Sequence, residues 1–160
     1  YNFIMKQRGI VGHSGGTVEG VDSRGLPIRV LVVDDEAITR KLIIQVLKSV
    51  GYEIIAEADN GLAGVEYFKT FKPDIVTLDV KMPVMDGPTT IKKILQVDPN
   101  ATVVMLTNEN DRDTVTELLK LGATDYIVKP VNRERILEKF RNVRTTMEER
   151  RRTRKGKESG

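Results

Sequence analysis

Five short apolar runs alternate with five amphipathic stretches between residues 28 and 145. The runs are rich in valine, isoleucine and leucine, as expected for strands covered on both faces. They predict strands at residues 28–33, 52–58, 74–79, 101–107 and 125–128. The stretches between them place apolar residues three and four positions apart, which predicts helices. This alternation favours an α/β fold with a five-stranded parallel sheet.

Capping and breaking residues mark the ends of the predicted helices. We expect helices over residues 36–50, 60–70, 88–97 and 111–122, and a last helix that starts after residue 132. Asn60, Asp111 and Asn132 are suitable N-caps. The apolar stripe of the last helix ends at Met147, where arginines begin.

The two ends of the chain differ from this regular body. Residues 1–27 are rich in glycine and predict a flexible N-terminal leader. Residues 28–145 then form the folded domain, and residues 146–160 form a basic tail. Residues 141–160 carry eight lysines and arginines against three glutamates, so the other 140 residues sum to −2. The tail is expected to be a solvated helix end or a disordered segment.

Composition narrows the functional classes. The chain has no cysteine, which excludes disulfides and thiolate metal sites. It has neither a signal peptide nor an apolar run long enough to span a bilayer, so we expect a cytosolic protein without a membrane partner.

Polar residues end four of the predicted strands or follow them directly: Asp34 with Asp35, Asp79, Thr107 and Lys129. In a parallel sheet these positions share one edge, and ligands bind at that edge where the strand order reverses. An acidic pair alone is explained as well by helix capping. Placed with a third carboxylate, a hydroxyl and a lysine, it points to a hard divalent cation such as Mg²⁺ and a transferable phosphoryl group.

Four segments together carry a family resemblance. They are Val-Val-Asp-Asp-Glu at 32–36, Leu-Asp-Val-Lys-Met-Pro-Val-Met-Asp-Gly at 78–87, Leu-Thr at 106–107 and Gly-Ala-Thr-Asp-Tyr-Ile-Val-Lys-Pro at 122–130. Residues 28–145 resemble the receiver domain of two-component response regulators. The resemblance implies strand order 2-1-3-4-5 with helices on both faces of the sheet, a flavodoxin-like or CheY-like fold.

The resemblance also implies roles for the acidic residues. Asp79 would accept a phosphoryl group from a histidine kinase or a phosphotransfer protein. Asp35 and Asp79 would ligate Mg²⁺ directly, Asp34 would act through water, and the Lys81 backbone carbonyl would complete the protein ligands.

Other residues would convert phosphorylation into a change of shape. Thr107 would bind the phosphoryl group and move toward it, while Tyr126 turns inward. Lys129 would pair with the acceptor, and the Lys129–Pro130 bond would be cis. A downstream protein would bind the face of helix 4, strand 5 and helix 5.

The resulting hypothesis is a single-domain response regulator that transfers phosphate only to and from itself and is not a true enzyme. Three positions depart from the commonest family pattern or tune it: Lys81, Asn108 and Glu109. Asn108 replaces a small residue, and Lys81 and Glu109 are placed to form an ion pair over the site. The lifetime of the phosphorylated state therefore stays undetermined.

Four other functions were weighed. A haloacid-dehalogenase-type phosphatase needs an aspartate where Lys81 stands, and an FMN carrier would meet phosphate repulsion from Asp34 and Asp35. A receiver fragment of a DNA-binding regulator and a phosphorylation-independent interaction module also stay open. The basic tail lacks aromatic residues, which weakens nucleic-acid binding as its role.

Overall fold

The computed structural model describes residues 19–108 and 112–159. Five strands and five helices alternate in it: β1 (Arg29–Val33), α1 (Ala37–Ser49), β2 (Glu53–Ala58), α2 (Gly61–Phe71), β3 (Ile75–Asp79), α3 (Gly87–Val97), β4 (Thr102–Thr107), α4 (Arg112–Lys120), β5 (Asp125–Val128) and α5 (Arg133–Ser159). Each predicted strand is present, with bounds that differ by at most one residue.

The sheet is parallel throughout and has the order β2-β1-β3-β4-β5. The predicted fold class and strand order are therefore confirmed. β1 lies beside β3 at the point where the strand order reverses, and Val33 pairs with Leu78 in this register. Asp34, which follows Val33, and Asp79, the last residue of β3, therefore lie side by side at the carboxyl edge of the sheet.

Alternate strand residues face two separate cores. Val30 and Val32 point to the side covered by α1 and α5, while Leu31 and Val33 point to the side covered by α2, α3 and α4. Both faces of the sheet are thus buried, which explains why the strands are near-continuous apolar runs.

Caps and one glycine direct the connections on the ligand-binding edge. The side chains of Asn60 and Asn132 accept backbone hydrogen bonds at the starts of α2 and α5, as predicted. Asp86 caps α3 in the same way, by accepting a hydrogen bond from the Thr89 N–H. A Cβ at Gly87 would lie 2.5 Å from the Asp79 carbonyl oxygen, so glycine is required where α3 begins against the end of β3.

The N-terminal segment differs from expectation. Residues 19–27, placed in the flexible leader, are packed: Gly20 accepts a hydrogen bond from the backbone of Ile28 and donates one to Val50. Asp22 is 5% exposed and accepts hydrogen bonds from the backbone of Arg24 and Leu26. The other leader residues, 1–18, and the predicted cap Asp111 lie outside the described residues.

The basic tail is a continuation of α5, and three of its arginines turn toward the domain. Arg151 contacts Asp22 at 3.0 Å and Asp74 at 2.9 Å. Arg150 donates to the Ala101 carbonyl at 2.8 Å, and Arg154 pairs with Asp98. These residues join the C-terminal helix to the amino edge of the sheet, where the strands begin. We call Asp22, Arg24, Asp74 and Arg151 the amino-edge cluster.

Within the described residues, the structure contains no helix that combines the length and the apolar character needed to cross a membrane.

Candidate functional site

Four carboxylates converge at the carboxyl edge of the sheet, with one oxygen of each within 4.8 Å of the others: Asp34, Asp35, Glu36 and Asp79. We call these four residues the acidic cluster. The sequence predicts that Asp34, Asp35 and Asp79 meet, and it assigns no role to Glu36. The position of Glu36 directly after Asp34 and Asp35, in the same short connection from β1 to α1, is the sequence signal that could have identified it.

Lys129 enters the acidic cluster from the end of β5. Its Nζ lies 2.7 Å from Glu36 Oε1, 3.1 Å from Asp34 Oδ2 and 3.3 Å from Asp79 Oδ1. The backbone of Lys129 is fixed by its N–H, which donates to the Thr107 carbonyl at 2.7 Å. The peptide bond to Pro130 is cis, as predicted. The expected contact between this lysine and Asp79 is thus present.

Burial and like charge act together on the two inner carboxylates. Burial raises the pKa of Asp79 to about 7, the charge of Asp34 adds to this increase, and Lys129 opposes it. Burial also raises the pKa of Asp34, against the hydrogen bond from the Glu36 N–H and the charge of Lys129. Both inner acids therefore hold protons more tightly than isolated ones, mainly because they are buried.

The same charges act in the opposite sense on the lysine. Burial disfavours its ammonium form, but the hydrogen bond to Glu36 and the charges of Asp34 and Asp79 outweigh burial and raise the pKa of Lys129. Lys129 is therefore a fixed positive charge inside the site.

The donor atoms suit a hard divalent cation. Asp34 Oδ2 is buried and accepts no hydrogen bond within the described part of the chain, although Lys129 Nζ lies 3.1 Å away. Asp34 Oδ1, by contrast, accepts from the Glu36 N–H at 2.8 Å. An all-oxygen set with a buried oxygen still lacking a donor fits Mg²⁺, which prefers oxygen ligands and retains several waters.

The two predicted switch residues lie on neighbouring strands, β4 and β5, in different settings. Thr107 is the last residue of β4 and is buried. Tyr126 is half-buried, packs against the core under α4 and has Lys139 Nζ 4.8 Å from its ring centroid. Thr107 therefore lies at the carboxyl edge of the sheet, beside the end of β3. Tyr126 lies on β5, the strand on the other side of β4. Their movements stay a prediction.

Two further described positions follow the ends of β3 and β4. Lys81 is exposed two residues after Asp79, and its assignment as a carbonyl ligand stays a prediction. Asn108 is exposed and lines a groove of about 360 Å³ together with Glu36 and Lys129. Glu109, expected to pair with Lys81, lies outside the described residues.

Comparison with known proteins agrees with this geometry. The family model described as "Response regulator receiver domain" matches residues 30–141. The chain is 45% identical over 126 residues to the chemotaxis protein CheY of Treponema pallidum, covering 78% of this chain and 88% of that protein. It is 43% identical over 115 residues to CheY of Thermotoga maritima, covering 72% and 96%.

A solved structure is similar in the same region. CheY in the CheX–CheY–BeF3–Mg²⁺ complex of Borrelia burgdorferi superposes with a TM-score of 0.77 and 37% identity. The match covers 80% of this chain and 98% of that one. Together with the strand order and the acidic cluster, these matches place the chain in the family of CheY-like response regulator receiver domains.

Proposed function

We propose that this protein is a phosphorylation-controlled signalling switch, with Asp79 as the residue that accepts the phosphoryl group. The supporting observation is the position of Asp79, which is 3% exposed, lies among three other carboxylates and has Lys129 Nζ 3.3 Å away. A histidine kinase or a phosphotransfer protein would supply the group as phosphohistidine. Single-domain action is part of this proposal.

In the reaction, an oxygen of the ionised Asp79 attacks phosphorus and the phosphorus–nitrogen bond to the donor histidine breaks. The electron pair stays on the imidazole nitrogen, which then takes a proton. Lys129 stabilises the negative charge on the phosphoryl oxygens because its ammonium already lies beside Asp79. Hydrolysis by water later restores the carboxylate and releases phosphate.

The acidic cluster would hold the metal, with Asp35 and Asp79 as direct ligands, Asp34 as a ligand through water, and Lys81 contributing its carbonyl. When bound, Mg²⁺ supplies positive charge that offsets the crowded carboxylates and the phosphoryl oxygens. Support comes from Asp34 Oδ2, which is buried and accepts no hydrogen bond within the described residues, and from the Borrelia burgdorferi relative, whose complex contains both BeF3 and Mg²⁺.

Phosphorylation would be transmitted to the face formed by α4, β5 and α5. Phosphorylation adds about −1.5 to −2 charges at the carboxyl edge. Thr107 is placed to respond first, and Tyr126 lies on the next strand of the same sheet. Tyr126 and Lys139 line a groove of about 320 Å³ on this face, which would receive the partner protein. The CheX bound in the Borrelia burgdorferi complex supports the existence of such a partner.

The internal contacts of the tail arginines make nucleic-acid binding less favourable than the basic composition of the tail alone would suggest. Arg150, Arg151 and Arg154 already contact carbonyl and carboxylate groups of the domain. Phosphate contacts by these arginines would have to replace those internal contacts.

Phosphorylation of a single residue is the direct test. We would incubate the protein with acetyl phosphate and Mg²⁺ and locate the added phosphoryl group by mass spectrometry. We expect one group on Asp79, none in Asp79→Asn and none after chelation of the metal. Asp59→Asn, which changes an exposed acid after β2, should be labelled like the wild type. An unlabelled wild type, or equal labelling of Asp79→Asn, would contradict the proposal.

The switch is tested separately by nuclear magnetic resonance. Beryllium fluoride with Mg²⁺ should shift the resonances of Thr107 and Tyr126. Binding that leaves both residues unchanged would argue against transmission through them.

A further inference from the structure

Glu36 occupies the N-cap position of α1 but does not cap the helix. Capping residues accept a hydrogen bond from a backbone N–H in the first turn, and short polar side chains do this best. The Glu36 backbone is extended, with φ −90° and ψ 110°, and its side chain makes no such bond. Local helix stability therefore does not explain the direction of this carboxylate.

The side chain of Glu36 instead contacts a residue that is distant in the sequence, Lys129. Its Oε1 accepts a hydrogen bond from Lys129 Nζ at 2.7 Å, across 93 positions of the chain. This is shorter than the distances from the same Nζ to Asp34 and Asp79, 3.1 and 3.3 Å. The Glu36 side chain is 58% exposed and the Lys129 side chain 7%, so an outer carboxylate holds an inner ammonium.

We propose that Glu36 is a positioning residue that competes with Asp79 for the Lys129 ammonium in the unphosphorylated protein and thereby slows phosphoryl transfer. This inference rests on the proposed function, in which Lys129 stabilises the phosphoryl oxygens. The ammonium has three N–H donors and already faces three carboxylates, with Glu36 the nearest at 2.7 Å, so phosphoryl oxygens on Asp79 would compete with Glu36 for it.

The expected effect is modest because one partner is exposed to water. Ion pairs with an exposed partner change an equilibrium by about fivefold at most. Removing the Glu36 contact should therefore raise the phosphorylation rate by about two- to fivefold when Mg²⁺ is saturating. Saturating metal is needed because Glu36 also belongs to the acidic cluster, so its loss should weaken Mg²⁺ binding.

Three variants distinguish the loss of the Glu36–Lys129 contact from the loss of the Glu36 charge. Glu36→Gln removes both the charge and the ion pair. Glu36→Asp keeps the charge but is one methylene shorter, so it cannot hold the 2.7 Å contact in the present backbone position. Glu57→Gln is the matched control, because it removes an exposed carboxylate on β2, whose partner is Arg40 rather than Lys129.

Two measurements would be made on each full-length variant. The first is the initial rate of labelling by acetyl phosphate at saturating Mg²⁺. The second, independent of turnover, is the dissociation constant of beryllium fluoride, followed by fluorine resonance, with Mg²⁺ affinity measured by calorimetry in the absence of a phosphoryl donor.

We expect Glu36→Gln and Glu36→Asp both to react about two- to fivefold faster and to bind beryllium fluoride correspondingly more tightly. Glu57→Gln should match the wild type. A labelled wild type with unchanged or slower Glu36 variants would overturn the inference alone, as would an equal gain in Glu57→Gln. An unlabelled wild type would overturn the proposed function and this inference together.

Discussion

The two edges of the sheet use the same kinds of side chain with opposite electrostatic results. At the carboxyl edge, burial and Asp34 raise the pKa of Asp79, since Lys129 offsets only part of the crowding. At the amino edge, burial also opposes ionisation of Asp22, but hydrogen bonds from Arg24 and Leu26 outweigh it and lower the pKa.

The difference lies in how completely each carboxylate is satisfied. Asp22 accepts backbone hydrogen bonds on Oδ1, and its Oδ2 lies 2.6 Å from Arg24 and 3.0 Å from Arg151. Asp34 Oδ2, at the opposite edge, is buried and has the Lys129 ammonium 3.1 Å away, but it accepts no hydrogen bond within the described segments. A fully satisfied buried acid stabilises the fold, whereas an incompletely satisfied one keeps its capacity for an external ligand.

The largest expected effect is at the amino edge. Asp22→Ala should lower the free energy of unfolding by about 2–4 kcal/mol, because two backbone N–H groups and two arginines lose their acceptor. Urea unfolding measures this loss. Asp59→Ala, which removes an exposed acid, should cost less than about 0.5 kcal/mol. Equal losses in the two variants would contradict the stabilising role of the amino-edge cluster.

A change of opposite sign is expected at the carboxyl edge. Asp79→Asn should raise the free energy of unfolding by about 1–3 kcal/mol at pH 8 without metal, because it removes a charge that burial disfavours. Urea unfolding at fixed pH with a chelator measures the gain. Saturating Mg²⁺ should narrow the difference, because a ligand that binds the folded wild type stabilises it. A less stable Asp79→Asn at pH 8 would show that its carboxylate is well satisfied without metal.

The pH dependence of the free energy of unfolding should also differ between the two edges. The pKa of Asp79 is raised in the folded state, so its contribution favours folding at low pH and is lost between about pH 4 and 7. The pKa of Asp22 is lowered, so its contribution is present above about pH 4 and lost as the pH falls below that value. Unfolding curves from pH 3 to 8 should show the Asp79→Asn advantage growing with pH and the Asp22→Ala deficit shrinking only in acid. Parallel pH profiles would contradict this division.

Arg151 tests the link between the chain ends. Arg151→Met should cost about 1–2 kcal/mol, because it breaks ion pairs with both Asp22 and Asp74 while Arg24 still serves Asp22. Urea unfolding measures the cost. Hydrogen exchange should also show faster exchange of the Leu26 amide, whose N–H donates a hydrogen bond to Asp22. Unchanged exchange there would mean that Asp22 keeps the Leu26 amide protected without Arg151.

The regular body of the fold was predictable because its signals are local and repeated. Apolar runs such as β1 are buried on both faces, and the polar residues that end them, Asp34 and Asp79, meet because parallel strands finish at one edge. Even so, the exact strand order came from family resemblance and not from periodicity alone.

What the sequence did not predict depends on long-range partners. Asp22 lies in a glycine-rich segment without periodicity. Its partner Arg151 is 129 positions away and is one of several neighbouring arginines that the sequence does not distinguish. Glu36 was visible as an acid, but the direction of its side chain depends on Lys129, 93 positions away. Composition predicts flexibility for residues 19–27, but backbone hydrogen bonds to Val50 and Ile28 and long-range contacts with α5 hold this segment against the domain.

The smallest expected effect tests whether burial, and not charge alone, distinguishes these contacts. Arg154 lies about one turn after Arg151 on α5 and pairs with Asp98 at 3.1 Å, but the two side chains are 51% and 33% exposed. Arg154→Gln should therefore cost less than about 0.5 kcal/mol, and 1 M NaCl should remove the cost because salt screens exposed charges. The loss caused by Arg151→Met should change little with salt. Equal, salt-sensitive losses in both variants would mean that the amino edge is held by a general attraction of the basic helix to an acidic body, and the contrast between the two edges would then be one of net charge.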